Sequence, residues 1–324
     1  MIPIRDTIQA KNYPIVNNAL IGINVLVFLV QLSKGHALSQ FIYTYGLVPA
    51  RYSVPEISSY FSVGQQVFSF FSFMFLHGGF FHLLGNMWCL YIFGDNVEDR
   101  LGHIRYLFFY ILCGWASGVS HLIINWHSQV PTIGASGAIA GVMGAYFILY
   151  PKARILTLIP IFIIPYFLEI PAFFFLGIWF LIQFLSATGS QGQGGIAWWA
   201  HIGGFISGII LLKILTKIPE TGVTSRLRNA TPRRRSPRLQ VIHSKGSQQD
   251  PHLHGQITIT PLEAVYGAQK LVNIPWGFQR RLFRVTIPSG ISDGSVLRLK
   301  GVGTSTINGS RGDLYLRVLI QPAA

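Results

Sequence analysis

Charge is scarce in this chain. Only 11% of its 324 residues are Asp, Glu, Lys or Arg, against roughly 25% in an ordinary soluble domain. Half of the residues are hydrophobic, which excludes a disordered chain and argues against an ordinary soluble one. Cysteine is nearly absent: Cys89 and Cys113 are the two, both in apolar stretches. Two cysteines give neither a disulfide framework nor a four-ligand zinc set, so they read as small buried apolar side chains. The net charge is +14, yet 15 of the 25 Lys and Arg follow Lys217. An almost charge-free apolar part is followed by a basic part, and this distribution argues against a nucleic-acid partner. The opening "MIPIRDTIQAKNYPIVNN" has no short apolar core ending in a small-residue cleavage site. The first apolar run is therefore expected to be a retained span.

A membrane-spanning helix needs about 20 mostly apolar residues. Six runs qualify, at 15–33, 78–95, 104–125, 134–150, 171–188 and 196–216. A seventh, "ILTLIPIFIIPYFLEI" (155–170), carries Pro160 and Pro165, with Pro171 just after it. Each proline removes a backbone donor, so a loop or interfacial hairpin is expected there. The positive-inside rule supports this count. Six spans put Arg5, Lys11, Arg100, Arg105, Lys152, Arg154 and the basic tail on the cytoplasmic side, with only Lys34 and Arg51 outside. Seven spans would export the tail. Residues 34–77 are too long for a plain connector. Its "FSFFSFMFL" is expected to pack on the bundle or lie at the outer interface.

Polar groups inside a membrane are costly, and they point to function. "HGGFFHLLGNM" places His77, His82 and Asn86 at the start of the second span. "GASGA" places Ser136 at the start of the fourth, and "WWAHIGGFISG" places His201 near the start of the sixth. In a six-span chain all three helices run inward from the outer face, so these groups share one depth. His82 and Asn86 are i, i+4 and lie on one helix face. Ser136, Ala140 and Gly144 form a row of small residues, as do Gly204 and Gly208. Such rows let membrane helices approach closely, and they also occur for packing alone.

A serine hydroxyl needs a base to become a nucleophile, and His201 is the polar candidate on a facing span. The oxyanion of an acyl transfer needs donors, which Asn86, His82 and the backbone N–H of Ser136 can supply. No Asp or Glu lies near that face, so the pattern reads as a Ser–His dyad rather than a triad. A zinc helix would need H-E-x-x-H, which is missing. An aspartyl site would need two membrane aspartates, and only Asp95 is offered. The elbow G-x-S-x-G fails at Ala138. A transporter would need charges or broken helices near the midplane, and the spans offer almost none. No cofactor and no metal are expected.

With "HGGFFHLLGNM", "GDNVEDRLG", "GASGAIAG" and "AHIGGFISG" in this order, the chain resembles the rhomboid intramembrane serine proteases over roughly residues 10–217. The resemblance implies Ser136 as nucleophile, His201 as general base, and Asn86 and His82 as oxyanion donors. It implies that Gly134 leaves room for the oxyanion, and that Glu98 and Arg100 form a structural charged pair. It also implies cleavage of single-span membrane proteins near the outer face, with water entering through a cavity. Some family members carry an aromatic residue four after the serine, against the histidine. Here Ala140 stands in its place, which leaves open what holds the His201 ring, Trp198 or Trp199 being candidates. The rival reading is a non-catalytic rhomboid-like adaptor or quality-control protein that binds membrane clients. Such an adaptor has no need for both Ser136 and His201.

"SRLRNATPRRRSPRLQ" (225–240) is a linker by composition. It is either attracted to anionic lipid heads or simply solvated. Beyond it, "QITIT", "KLVNI", "RLFRVTI", "SVLRLK" and "DLYLRVLI" are strand-like runs, and "PLEAVYGA" allows a helical turn or two. Through "ITITPLEAVYGA", "VTIPSGISDGSVLRLKGVG" and "GDLYLRV", residues 252–322 resemble the C-terminal substrate-binding domain of DnaJ-type co-chaperones. The J domain and the cysteine-rich zinc region of those proteins are not seen. The resemblance implies strand addition by an extended peptide; a stabilising or dimerising appendage is the equal alternative.

The expected fold is thus a polytopic α-helical membrane protein, a six-span bundle at 1–217. It is followed by a basic linker at 218–249 and a small all-β domain at 250–324. The expected partners are transmembrane protein substrates, the lipid bilayer, and an unfolded or extended cytoplasmic peptide. The expected location is a prokaryotic cell (inner) membrane with both termini cytoplasmic.

Overall fold

The computed structural model describes residues 1–161, 164–189, 197–219, 222–231, 239–241, 250–276, 279–304 and 311–321. The chain forms two compact units. One comprises Asn12–Lys152 and Pro171–Thr231; the other comprises Met1–Lys11, Ala153–Ile170 and Pro232–Ala324.

The first unit is helical. It begins with α1 (Ile15–Leu32) and the short α2 (Leu38–Tyr45), α3 (Ala50–Ser53), α4 (Pro55–Ser58) and α5 (Val63–Ser72). The long α6 (Phe80–Leu101) and α7 (His103–Ile124) follow, then α8 (Ser136–Leu149), α9 (Ala172–Gly189), α10 (Trp198–Leu215) and α11 (Gly222–Ala230). A helix stands at each of the six expected positions, but length and composition by themselves mark fewer than six spans among the described residues. Among the described residues four helices, α1, α7, α9 and α10, are long and apolar enough to cross a bilayer. A fifth span results only if α6 is joined to Val63–Phe75, from which it is bent by 76°. Two physical causes lie behind this difference. α6 carries Asp95, Glu98, Asp99 and Arg100 in its last two turns. α8 has only 14 residues, about 21 Å of rise against a hydrocarbon core of about 30 Å.

α8 is the centre of the unit, with every residue from Gly137 to Tyr146 buried. Its neighbours reach its backbone. A Cβ on Gly204 would lie 2.0 Å from the Gly137 carbonyl oxygen, and one on Gly208 would lie 2.0 Å from that of Gly141. A Cβ on Gly144 would lie 2.3 Å from the Phe205 oxygen. The contact row on α8 is therefore Gly137, Gly141 and Gly144; it shares Gly144 with the expected row but has Gly137 and Gly141 in place of Ser136 and Ala140. Ser136 itself is half-buried. On the α7 side, Gly141 meets Cys113 and Gly137 meets Ser117. Cys113 is buried and Cys89 half-buried, both as free thiols.

The connection 34–77 packs on the bundle. Phe73, Met74, Phe75 and Leu76 are buried, and Met74 and Phe73 fill the notches left by Gly114 and Gly118 on α7. At the other end of α6, Glu98 is 1% exposed. Its carboxylate accepts from the N–H groups of Val16 (3.0 Å) and Asn17 (2.7 Å) and so caps α1. It also makes a short hydrogen bond with His103 Nδ1. Among the described residues its ion-pair partner is His103, while Arg100 is exposed; the implied Glu98–Arg100 pair is not formed. The basic segment 218–249 is not all linker. α11 lies within it, and Arg228 donates to the carbonyl oxygen of Asp99 (2.5 Å), closing the C-terminus of α6. Residues 232–238 and 242–249 of that segment lie outside the described residues.

The second unit is built from strands. β1 (Ile2–Asp6), β2 (Arg154–Ile161) and β3 (Ile164–Pro171) form one sheet in that order. β1 runs antiparallel to β2, with Ile2 opposite Leu158 and Asp6 opposite Ile155. The proline-interrupted run is thus two strands, as the hairpin reading expects. β4 (Leu239–Val241), β6 (Ala268–Trp276) and β7 (Gln279–Ile287) form a second sheet. β5 (Leu253–Ile259), β9 (Leu314–Ile320) and β8 (Val296–Leu299) form a third, with β5 parallel to β9. Alternate residues such as Ile257, Ile259, Leu314, Leu316 and Val318 make the core, as the period of two requires. α12 (Pro261–Tyr266) starts with a capping box between Thr260 and Glu263.

Two predictions follow from this packing. Gly208→Ala should lower the Tm in detergent clearly, by an overpacking cost of about 1–3 kcal/mol. Gly85→Ala should not, because nothing stands within 4 Å of its added Cβ. In the β unit, the Gly301 N–H and then the Arg298 guanidinium hold the Asp313 carboxyl below its ordinary 3.8. Its stabilisation is present above that value and is lost as pH falls through the lowered one. Acid titration of hydrogen exchange at Gly301 should show protection fading in wild type and already weak at neutral pH in Asp313→Asn.

Candidate active site

Ser136 is the first residue of α8, so its own N–H has no partner within the helix. The approach to it is set by Gly134, whose φ of +132° suits glycine alone and whose N–H donates to the Phe73 carbonyl (2.9 Å). His201 lies in the first turn of α10. The glycine contacts between α8 and α10 bring the two side chains together, with His201 Nε2 2.7 Å from Ser136 Oγ.

The other ring nitrogen is also engaged. His201 Nδ1 lies 2.8 Å from Gln183 Oε1, on α9. Gln183 is buried, and its Nε2 donates to the Trp179 carbonyl (3.4 Å). With the amide nitrogen on that carbonyl, its oxygen faces the imidazole. Nδ1 then carries the proton, and Nε2 presents its lone pair to the Ser136 hydroxyl. The ring is flanked by Trp179 at 6.0 Å and, edge-on, by Trp198 at 6.2 Å. Trp198 was one of the two candidates for holding it; Trp179 and Gln183 were not read from the sequence. A lone glutamine in an apolar helix is the signal that would have found Gln183.

Of the expected donors, His82 stands beside the same serine. A Cβ on Gly134 would be 2.9 Å from His82 Nε2 and 3.5 Å from Ser136 Oγ. Gly134, His82 and Ser136 therefore border one small space, which a side chain at 134 would fill. His82 Nδ1 accepts from the Gly78 N–H (3.2 Å), so Nε2 carries the proton and is the donor. Asn86 is buried, and its Nδ2 has no hydrogen-bond partner among the described residues. An unpaired buried donor is costly, and an incoming oxygen would relieve that cost. His77 has a different role: its N–H and C=O are both bonded to the Gln31 amide on α1. Glu98 and Arg100 stand at the far end of α6, about 18 Å of helix rise from Asn86.

The class this defines is a membrane protein whose apolar helices bring a serine and two histidines together. The comparisons with known proteins identify two domains. Residues 64–218 match the rhomboid domain, and residues 239–323 match the DnaJ C terminal domain. The chain carries a rhomboid domain joined in one polypeptide to a DnaJ C-terminal domain. It is 30% identical over 226 residues to Rhomboid protein 1, mitochondrial, of Saccharomyces cerevisiae, covering 65% of this chain and 56% of that protein. It is 30% identical over 163 residues to RHOMBOID-like protein 6, mitochondrial, of Arabidopsis thaliana, covering 49% and 47%. A 38-residue stretch is 53% identical to Chaperone protein DnaJ of Helicobacter hepaticus, covering 12% and 10%. The chain spans about half the length of the two rhomboid relatives.

The donor role of His82 has a direct check. Nitrogen-15 NMR of histidine-labelled protein in bilayers should find His82 neutral with its proton on Nε2. A proton on Nδ1 would contradict the Gly78 hydrogen bond.

Proposed function

We propose that this chain is an intramembrane serine endopeptidase of the rhomboid type, with Ser136 and His201 as its catalytic dyad. The observation that carries the reading is the 2.7 Å contact between His201 Nε2 and Ser136 Oγ, made at the end of a helix pair in close backbone contact. Ser136 Oγ attacks the scissile carbonyl carbon and passes its proton to His201 Nε2. The oxyanion is received by His82 Nε2–H, Asn86 Nδ2–H and the backbone N–H of Ser136, in the space that Gly134 leaves open. The imidazolium returns the proton to the leaving amine, and water then hydrolyses the acyl-enzyme. Because His201 must be neutral to act, the rate falls as pH drops through its pKa.

The substrates are single-span membrane proteins. A peptide bond is exposed to a membrane-embedded serine only where the substrate helix enters from the side or unwinds. The six helices α1, α6, α7, α8, α9 and α10 form the six-span arrangement, the shorter α8 being shielded from lipid by the others. With both termini cytoplasmic, the dyad lies toward the outer face and the DnaJ C-terminal domain inside. That domain binds extended cytoplasmic segments of substrates by strand addition. The resemblance at 239–323 and the three-stranded sheet of β5, β9 and β8 support this.

Cleavage of a single-span reporter in liposomes tests the reading. Ser136→Ala and His201→Ala should each abolish cleavage with the fold intact, and the double variant should lose no more than either. Asn86→Ala should slow kcat about 100- to 1000-fold. Full activity in Ser136→Ala would leave the serine as a packing residue and favour a client-binding adaptor. Deletion of 240–324 should spare a reporter without a cytoplasmic tail and impair one with an extended tail.

A further inference from the structure

We infer that Gln183 is a positioning residue for the proposed dyad, acting through His201 to hold the imidazole in the tautomer that can take the serine proton. The inference rests on the protease reading. It adds a third helix and a third side chain that no motif in the chain marks.

The geometry carries it. Gln183 Oε1 lies 2.8 Å from His201 Nδ1, and His201 Nε2 lies 2.7 Å from Ser136 Oγ. The three side chains come from α9, α10 and α8 and form one continuous hydrogen-bonded line. Gln183 is 5% exposed in a helix whose flanking Ile182, Phe184 and Leu185 are all exposed. It is thus a polar side chain turned inward from an otherwise lipid-compatible helix. The amide is oriented by its second bond, from Nε2 to the Trp179 carbonyl one turn earlier. Without an acceptor at Nδ1, a neutral imidazole divides between two tautomers, and the one protonated at Nε2 cannot serve as base. A carboxylate would select the same tautomer but would also favour the imidazolium. A neutral amide selects the tautomer without that charge, which keeps the histidine free to act as base down to lower pH.

The test compares wild type, Gln183→Leu, Gln183→Glu and His201→Ala in liposomes, measuring kcat and KM for a single-span reporter across pH. The rate of covalent labelling of Ser136 by a fluorophosphonate probe is followed in parallel. Gln183→Leu should lower kcat and the labelling rate by on the order of tenfold with KM little changed, as loss of one hydrogen bond to the base predicts. Gln183→Glu keeps an acceptor at Nδ1. It should recover most of the rate at high pH, with the acidic limb of its profile moved to higher pH. The inference is overturned if Gln183→Leu matches wild type in both readouts. It is equally overturned if Gln183→Glu is as slow as Gln183→Leu at every pH, since the glutamine would then act by packing alone. The protease reading fails separately, and is recognised by His201→Ala cleaving and labelling as wild type does.

Discussion

The backbone contact between α8 and α10 is the constraint on which the rest depends. Gly204 and Gly208 stand where any side chain would enter the carbonyls of Gly137 and Gly141. In a bilayer there is no hydrophobic force to press two helices together, so close approach must come from packing and small residues. That approach sets the distance at which a histidine on one helix meets a serine on the other. It also explains why the 14-residue α8 is stable though it is short. Its interior turns are enclosed by α7 and α10, and its N-terminus is held by the Gly134–Phe73 hydrogen bond.

The two ends of α6 do different work. Near its start, His82 borders the space beside Ser136, and one turn on Asn86 carries a buried donor without a partner among the described residues. At its finish, Glu98 closes the first turn of α1 and binds His103, while Arg228 of α11 closes α6 itself. The charges that shorten the apolar length of α6 are thus used in capping. A buried carboxyl is tolerated there because two backbone N–H groups and an imidazole bond to it and offset part of its desolvation. The residues of the connection 34–77 have a comparable task. Phe73 and Met74 occupy glycine notches on α7, and the same segment supplies the carbonyl that fixes Gly134.

Much of this was legible in residue order. Runs of about 20 apolar residues found the helix positions, because helix length in a membrane is set by bilayer thickness. Pro160 and Pro165 marked 155–170 as a loop or hairpin rather than a span, because proline is excluded from a helix interior; that the segment is strand was not legible. The candidate site residues stand out in the sequence because polar groups contrast with apolar surroundings. The contact row was legible only in Gly144, its other members being Gly137 and Gly141 rather than Ser136 and Ala140. Ser136, Gly137, Ala138, Ala140 and Gly141 are all small, so adjacent rows look alike until a partner helix selects one. Glu98 was assigned to Arg100 from the resemblance, whereas its neighbours come from α1 and α7. Gln183 passed unread because a single amide in an apolar helix carries no spacing pattern.

Taken alone, the sequence determined the order of the helices, the apolar-then-basic layout, the strand-rich C-terminal region and the candidate serine, histidines and asparagine. These are properties of local composition and period, written within windows of a few turns. Tertiary structure decided which glycines touch, which nitrogen of His201 and of His82 carries a proton, what caps α1, and that β1 pairs with a strand some 150 residues away. Each of those depends on groups far apart in the chain meeting within about 3 Å, the reach of a hydrogen bond. No local pattern encodes such a meeting; only the packed arrangement of helices and strands brings it about.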